Sequence, residues 1–297
     1  LGCLAAADGG SVDVVAFLDE NGNGVLDAGE AGRVPGLELT LDGREALTEP
    51  GTGRARLLGI IDGLHELALR PGALPPFYRA PPVLRVEVPA AAPVALPMRL
   101  PLGGNRPHVY LAFGDSLTEG VGASDGSAYR RLLEARLRAH FGAATVVDGG
   151  GSGTDSHRGA RRIAGLLAAH RPAYTLVLYG TNDWDRDDRE RVTLRSLGRI
   201  LDRVAAAASL PVLATLPPTR PGPDPRASPE RNRWISRVNQ GIRRLAAERG
   251  AALADVEAAF AARADRDALY FDGLHPNDAG YAVVAEAFFE AISRRRR

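Results

Sequence analysis

A serine hydroxyl becomes a nucleophile only when a base takes its proton, a third group orients that base, and N–H donors receive the developing negative charge. Residues able to fill those roles recur at four places in this 297-residue chain. Ser116 stands in "FGDSLTEG" (113–120), where the apolar run "VYLAF" gives way to Gly114 and Asp115. Gly, Asp and Ser also suit an ordinary strand-to-helix turn, so the serine gains meaning only from its partners. Six histidines are candidate bases, at 65, 108, 140, 157, 170 and 275. His140 and His170 close helical patterns, where the dipole favours a cation. His65 lies among short strands, His108 starts one, and His157 begins a helix with Asp155 nearby. His275 differs, because Asp272 lies three residues earlier across a turn at Gly273. At that separation a carboxylate can reach one ring nitrogen and leave the other facing a serine. Two further segments offer N–H donors. "DGGGSGTDS" (148–156) carries four glycines, whose backbone can approach a ligand closely. "YGTND" (179–183) brings Asn182, whose side-chain amide can donate to an oxyanion.

The elements that must hold these residues fall into two parts. Up to about residue 101 the chain reads as short strands, at 12–19, 37–42, 65–70 and 83–88, separated by Gly-, Pro- and Asp-rich turns. That pattern predicts a small antiparallel all-β sandwich domain over 11–101. "PLGGNRP" (101–107) has no apolar pattern and marks a boundary. From 106 to 297 strands alternate with helices: 109–113, 145–148, 174–180 and 211–216 as strands, 128–141 and 158–170 as helices. In the first helix Leu132, Leu133, Leu137 and Phe141 are expected on one face. Unbroken apolar strands between helices predict an α/β domain with a parallel sheet covered on both sides. Reactive loops in such sheets lie beyond the carboxyl ends of the strands, where Ser116 falls. Pro276 suits the first position of a last helix, whose stripe is Tyr281, Val284, Phe288 and Ile292.

Composition sets limits. The 37 basic residues are all arginine and balance 36 acidic ones to a net charge of +1, so nothing points to a nucleic-acid partner. No apolar run approaches the roughly 20 residues of a membrane span. The single cysteine, Cys3, rules out an intrachain disulfide, and "LGC" resembles the end of a bacterial lipoprotein signal. A lipid anchor at Cys3, or export without one, places the protein outside the cytoplasm. "DENGNGVLDAGE" (19–30) satisfies the calcium-loop pattern D-x-[DN]-x-[DN]-G-x5-E at each defined position. Asp19, Asn21, Asn23, Asp27 and Glu30 offer side-chain oxygens and Val25 its carbonyl, a donor set for a structural Ca2+. The flanks read as strands, not as EF-hand helices. The loop and those strands resemble the calcium-binding sandwich repeats of bacterial surface adhesins.

Taken in order, GDS, G-x-x-G, GTND and D-x-x-H resemble the SGNH (GDSL-type) hydrolase family over about 106–297. That resemblance implies a three-layer α/β/α, flavodoxin-like fold and ester hydrolysis through an acyl-enzyme, with no cofactor for catalysis. It implies Ser116 as nucleophile, His275 as base and Asp272 as its orienting acid. Its oxyanion donors would be the Ser116 N–H, the Gly153 N–H and the Asn182 side chain. Asp148 stands where the family's second block has Asn, with Gly150 and Gly153 at the glycine positions and Gly151 as the alternative register. Asp115 and Asp183 are expected to fix turns. Trp184 is expected either to stack on a sugar ring or to pack internally, and the Pro-rich loop 217–231 to wall the pocket. The expected substrate is a small ester or an acylated extracellular carbohydrate, with a lipase or thioesterase, or a pure binding protein, as alternatives.

Overall fold

Partial alternation of apolar and polar residues suits short strands between residues 10 and 98, because successive side chains of a strand point to opposite faces. The computed structural model describes residues 10–70, 72, 74–186, 190–220 and 222–294. Cys3 and the end of the terminal "RRRR" lie outside the described residues. The chain divides into two compact units, one built from residues up to Pro101 with Leu137–Ala143, the other from Leu102–Arg136 and Ala144–Arg294.

Among the described residues the first unit holds seven strands: β1 (Gly10–Leu18), β2 (Glu38–Leu41), β3 (Arg44–Leu47), β4 (Arg54–Ile60), β5 (Gly63–Leu69), β6 (Leu84–Val88) and β7 (Val94–Met98). They form one sheet in the order β4-β1-β7 and another in the order β3-β2-β5-β6. Val12, Val14 and Ala16 of β1 join Leu39 and Leu41 of β2, Leu57 of β4 and Val86 of β6 in one buried cluster. The expectation of purely antiparallel pairing is corrected: β1 and β7 run parallel, Val14 opposite Val94 through Leu18 opposite Met98. With some 75 residues between them, the two strands are not bound to the antiparallel arrangement of a tight hairpin.

The second unit contains a five-stranded parallel sheet of β8 (Arg106–Gly114), β9 (Thr145–Gly149), β10 (Pro172–Leu178), β11 (Leu210–Ala214) and β12 (Ala252–Ala254). Its order is β12-β11-β10-β8-β9, in which the chain steps outward to β9 and then returns across β8. This is the doubly wound order whose switch point, between β8 and β10, opens a crevice at the carboxyl ends. β10 is buried along its whole length, as a central strand covered on both faces must be. The helices are α1 (Ser116–Glu119), α2 (Arg130–Phe141), α3 (Ser156–His170), α4 (Glu190–Ala206), α5 (Pro229–Arg249), α6 (Val256–Ala261) and α7 (Asp278–Ser293).

Two helical expectations are corrected. Leu133, Leu137 and Phe141, four residues apart, are buried, but Leu132 is exposed. It sits about 100° round the helix from Leu133. Pro276 does not start the last helix: Asn277 caps α7, its side chain accepting the Gly280 N–H, and Pro276 bridges back to Tyr270. The stripe Tyr281, Val284, Phe288 and Ile292 is buried as expected.

Candidate active site

β8 runs to Gly114, where a β-carbon would collide with Thr118 and with the Leu178 carbonyl of β10. Only glycine lets the strand turn there. Asp115 then caps α1, its carboxylate accepting the Leu117 N–H at 3.0 Å, and Ser116 becomes the first helical residue. Burial pushes the Asp115 carboxyl up to about 7; the Leu117 N–H opposes that shift and Asp183 adds to it.

From the segment before α7, His275 turns Nε2 to the Ser116 hydroxyl at 3.0 Å. Its Nδ1 lies 2.9 Å from Asp272 Oδ2. Serine and histidine are both nearly buried, each 6% exposed. An ionised carboxylate only accepts, so Nδ1 carries the proton and Nε2 keeps a lone pair for the serine O–H. Asp272 Oδ1 accepts the N–H groups of Leu274 at 2.7 Å and His275 at 2.6 Å. Partial burial alone would raise the Asp272 pKa, but those N–H donors and the imidazole hold it well below the usual carboxylate range. The three expected residues therefore meet, in an order that can pass a proton from hydroxyl to imidazole.

The donor loops flank this line. After β9 the Gly150 N–H is taken by Asp148 at 2.8 Å, and the Gly151 N–H reaches the Asp115 carbonyl at 3.5 Å. Gly153 adopts a left-handed φ of 69°, and among the described residues neither its N–H nor that of Ser116 has a protein acceptor. Of the two glycine registers, Gly153 thus keeps its donor available. Asn182 lies in a 3₁₀ turn, Thr181–Arg186, after β10. Its amide donates to the Thr154 carbonyl at 2.9 Å, which ties the side chain to the glycine loop and leaves a second amide hydrogen.

Several residues that the sequence reading passed over build this frame. Glu119 accepts the Ser152 N–H at 2.6 Å, latching the glycine loop to the serine turn. Arg162 donates to the Gly114 carbonyl at 2.7 Å and the Gly149 carbonyl at 2.5 Å, with its guanidinium 4.7 Å above the Phe113 ring. Arg231, wholly buried, bonds the Thr181 carbonyl at 2.6 Å and the Arg226 carbonyl at 3.0 Å. Glu119 alone had a sequence signal, three residues after Ser116. Asp183 fixes its turn by accepting the Ser156 N–H at 2.8 Å and hydroxyl at 2.5 Å, and burial raises its pKa. Trp184 packs against Trp234, ring centroids 5.8 Å apart, which is the internal alternative of its two readings. Asp155 caps α3 through the Arg158 N–H and so serves the helix start beside His157.

In the first unit the loop 19–30 is closed by its own amides. Asp19 accepts the Gly22 and Gly24 N–H groups and an Arg99 contact at 3.0 Å. The Asn21 and Asn23 amides donate to Asp27 Oδ2, Asn23 Oδ1 accepts the Val25 N–H, and Glu30 accepts from Glu20 and Asp27. Among the described residues no three His, Cys, Asp or Glu side chains are grouped to hold a metal ion. The donor types suit a hard cation; their present partners are N–H groups.

Comparison with known proteins places this geometry. Residues 112–283 match the model of the GDSL-like lipase/acylhydrolase family. The chain is 35% identical over 103 residues to thioesterase 1/protease 1/lysophospholipase L1 of Escherichia coli K12, a match covering 35% of this chain and 48% of that protein. It thus spans about half the length of the curated relatives it matches. The lipase/acylhydrolase structure from Enterococcus faecalis superposes with a TM-score of 0.54 at 20% identity, covering 64% of this chain and 99% of the other. The acetylxylan esterase from Geobacillus stearothermophilus gives 0.53 at 21% identity, covering 64% and 96%. At such identities the two structures speak for the fold, a three-layer α/β arrangement about a parallel sheet. With more than half its length matched by the family, this chain belongs to the GDSL-like (SGNH) lipase/acylhydrolase family.

Proposed function

We propose that the chain hydrolyses short-chain acyl esters through an acyl-enzyme on Ser116. His275 takes the hydroxyl proton as Ser116 attacks the ester carbonyl, and the new oxyanion is received by the Ser116 N–H, the Gly153 N–H and the Asn182 amide. His275 then protonates the leaving alcohol. In the second half it takes a proton from the water that attacks the acyl-serine, then gives that proton to the departing Ser116 oxygen as the acid is released. Asp272 stays ionised and orients the imidazole throughout. The observation that carries this reading is the continuous line from Ser116 Oγ to Nε2 at 3.0 Å and from Nδ1 to Asp272 at 2.9 Å.

The preferred substrate is an O-acetyl group on extracellular carbohydrate, a reading favoured by the likeness to the acetylxylan esterase. The name of the Escherichia coli relative favours a second reading, a thioesterase or lysophospholipase with longer acyl chains. The oxygen-rich loop 19–30 is read as a structural Ca2+ site of the first unit, read in turn as an adhesin-like sandwich. Binding there requires the ion to displace the loop amides and the Arg99 contact on Asp19.

The test is hydrolysis of p-nitrophenyl esters from acetate to octanoate by wild type and Ser116→Ala, each with and without a calcium chelator. The expected result is acetate turnover that disappears in the mutant and survives the chelator, with a lower melting temperature in the chelator. Octanoate preferred over acetate would move the assignment to the second reading. Turnover retained by Ser116→Ala would remove the serine mechanism, and a melting temperature indifferent to the chelator would remove the calcium site.

A further inference from the structure

The Pro-rich segment 222–228, just before α5, reaches the site through a side chain. Arg226 Nη2 lies 2.8 Å from Asp272 Oδ2, the oxygen that faces His275 Nδ1. Oδ1 meanwhile holds the Leu274 and His275 N–H groups. A carboxylate has about four lone-pair sites. Here all four are met, so the carboxylate has no rotation that keeps its bonds.

Arg226 is itself held. Its Nε lies 3.0 Å from Asp224 Oδ1 and its Nη2 2.7 Å from Asp224 Oδ2, a forked pair. Asp224 Oδ1 also accepts the Arg226 N–H at 2.9 Å, and Oδ2 the Gly273 N–H at 3.2 Å. The loop thus bonds the backbone of the D-x-x-H turn as well as its carboxylate. A β-carbon at Gly273 would fall 2.7 Å from the Asp224 β-carbon and 2.8 Å from that of Ala227, so glycine is what allows this approach. From behind, buried Arg231 holds the Arg226 carbonyl.

We propose that Arg226, locked by Asp224, is a positioning residue that fixes the Asp272 carboxylate against His275. The proposal rests on the Ser116–His275–Asp272 reading above. Arg226 does not touch the reacting atoms; it removes the freedom of Asp272 to swing away as the imidazole gains its proton. A charge bridged between two carboxylates in a fixed fork does this better than an ammonium, which bonds as a point charge.

The experiment compares Arg226→Ala, Arg226→Lys, Asp224→Asn and the Asp224→Asn/Arg226→Ala double variant on p-nitrophenyl acetate, with Ser116→Ala alongside. Arg226→Ala is expected to lower kcat about tenfold while KM stays within about twofold, since the lost group acts on geometry and not on substrate. Arg226→Lys should recover part of the loss. Asp224→Asn should lower kcat, and the double variant should be no worse than Arg226→Ala, because the two residues form one unit. The Arg226 side chain is about half exposed, so melting temperatures should change little. Unchanged kcat in Arg226→Ala, a loss confined to KM, or additive losses in the double variant would overturn the proposal. An inactive Ser116→Ala beside a normal Arg226→Ala would sink the positioning role alone. Activity in Ser116→Ala would sink the reading beneath it.

Discussion

Among the described residues two buried histidines pair with aspartates, and one of the two faces a serine hydroxyl. In the first unit His65 Nδ1 pairs with Asp42 and Nε2 lies 2.8 Å from the Ile61 carbonyl. In the second, His275 Nδ1 pairs with Asp272 and Nε2 lies 3.0 Å from the Ser116 hydroxyl. The two rings are almost equally hidden, at 8% and 6% exposure. Burial and a carboxylate partner therefore do not distinguish them; the third group does. A carbonyl only accepts, so the His65 ring spends Nε2 on donation and has no lone pair to offer a hydroxyl. A serine hydroxyl both donates and accepts, which leaves His275 able to take its proton. One pair ties a strand to a turn, and the other sets a ring nitrogen against a hydroxyl, the geometry that the proposed proton transfer needs.

The largest test of this contrast is to remove each ring. His275→Ala is expected to lower kcat/KM on p-nitrophenyl acetate by about 10⁶-fold, the order of loss when the base of a serine triad is removed. His65→Ala should leave kcat/KM unchanged within about twofold and act on stability, by about 1–3 kcal/mol in urea unfolding, as lost buried hydrogen bonds do. Equal activity losses in the two variants would show that the third partner is not what separates them.

A smaller effect is expected from the proposed oxyanion side. Asn182→Ala should reduce kcat by about 10²–10³-fold, the usual cost of one such donor. Because Asn182 also bonds the Thr154 carbonyl at 2.9 Å, part of the loss should reflect a looser glycine loop. Asn182→Asp keeps the size and removes the donor. If Asn182→Asp is as active as wild type, the amide plays no part in holding charge.

Legibility followed the range of the interactions. Asp272 and His275 sit three residues apart, so local spacing was enough to pair them and to separate them from the other five histidines. The strand ends carrying Ser116, the glycine loop and Asn182 were visible because apolar runs break off there. Contacts across the chain left no such trace. Arg226 meets Asp272 46 residues away, and Arg231 meets Thr181 50 residues away. Nothing in "PDPRASPER" marks either arginine, since a run of Pro, Asp and Arg reads as a solvated loop. The parallel pairing of β1 with β7 was hidden for the same reason, while the shift of α7 from Pro276 to the Asn277 cap reflects a local competition between Pro and Asn.

The same rule, that partners set the state of a buried group, separates the carboxylates on either side of Ser116, with the smallest expected effect. Asp272 gathers donors and stays ionised, so its stabilisation is present above the ordinary carboxylate pKa and is lost as pH falls through its lower folded value. Asp115 is opposite in sign. Burial lifts it from 3.8 to about 7, so the folded state holds a proton that the unfolded chain releases. Its contribution is complete below pH about 3.8 and is lost as pH rises towards 7. Asp115→Asn carries a permanently neutral side chain that can cap the same Leu117 N–H. Urea unfolding from pH 4 to 7.5 should therefore show wild type losing stability relative to Asp115→Asn, by a few kcal/mol at most. Parallel curves would mean that Asp115 is ionised in the fold across that range. Burial beside Ser116 would then not be enough to neutralise it.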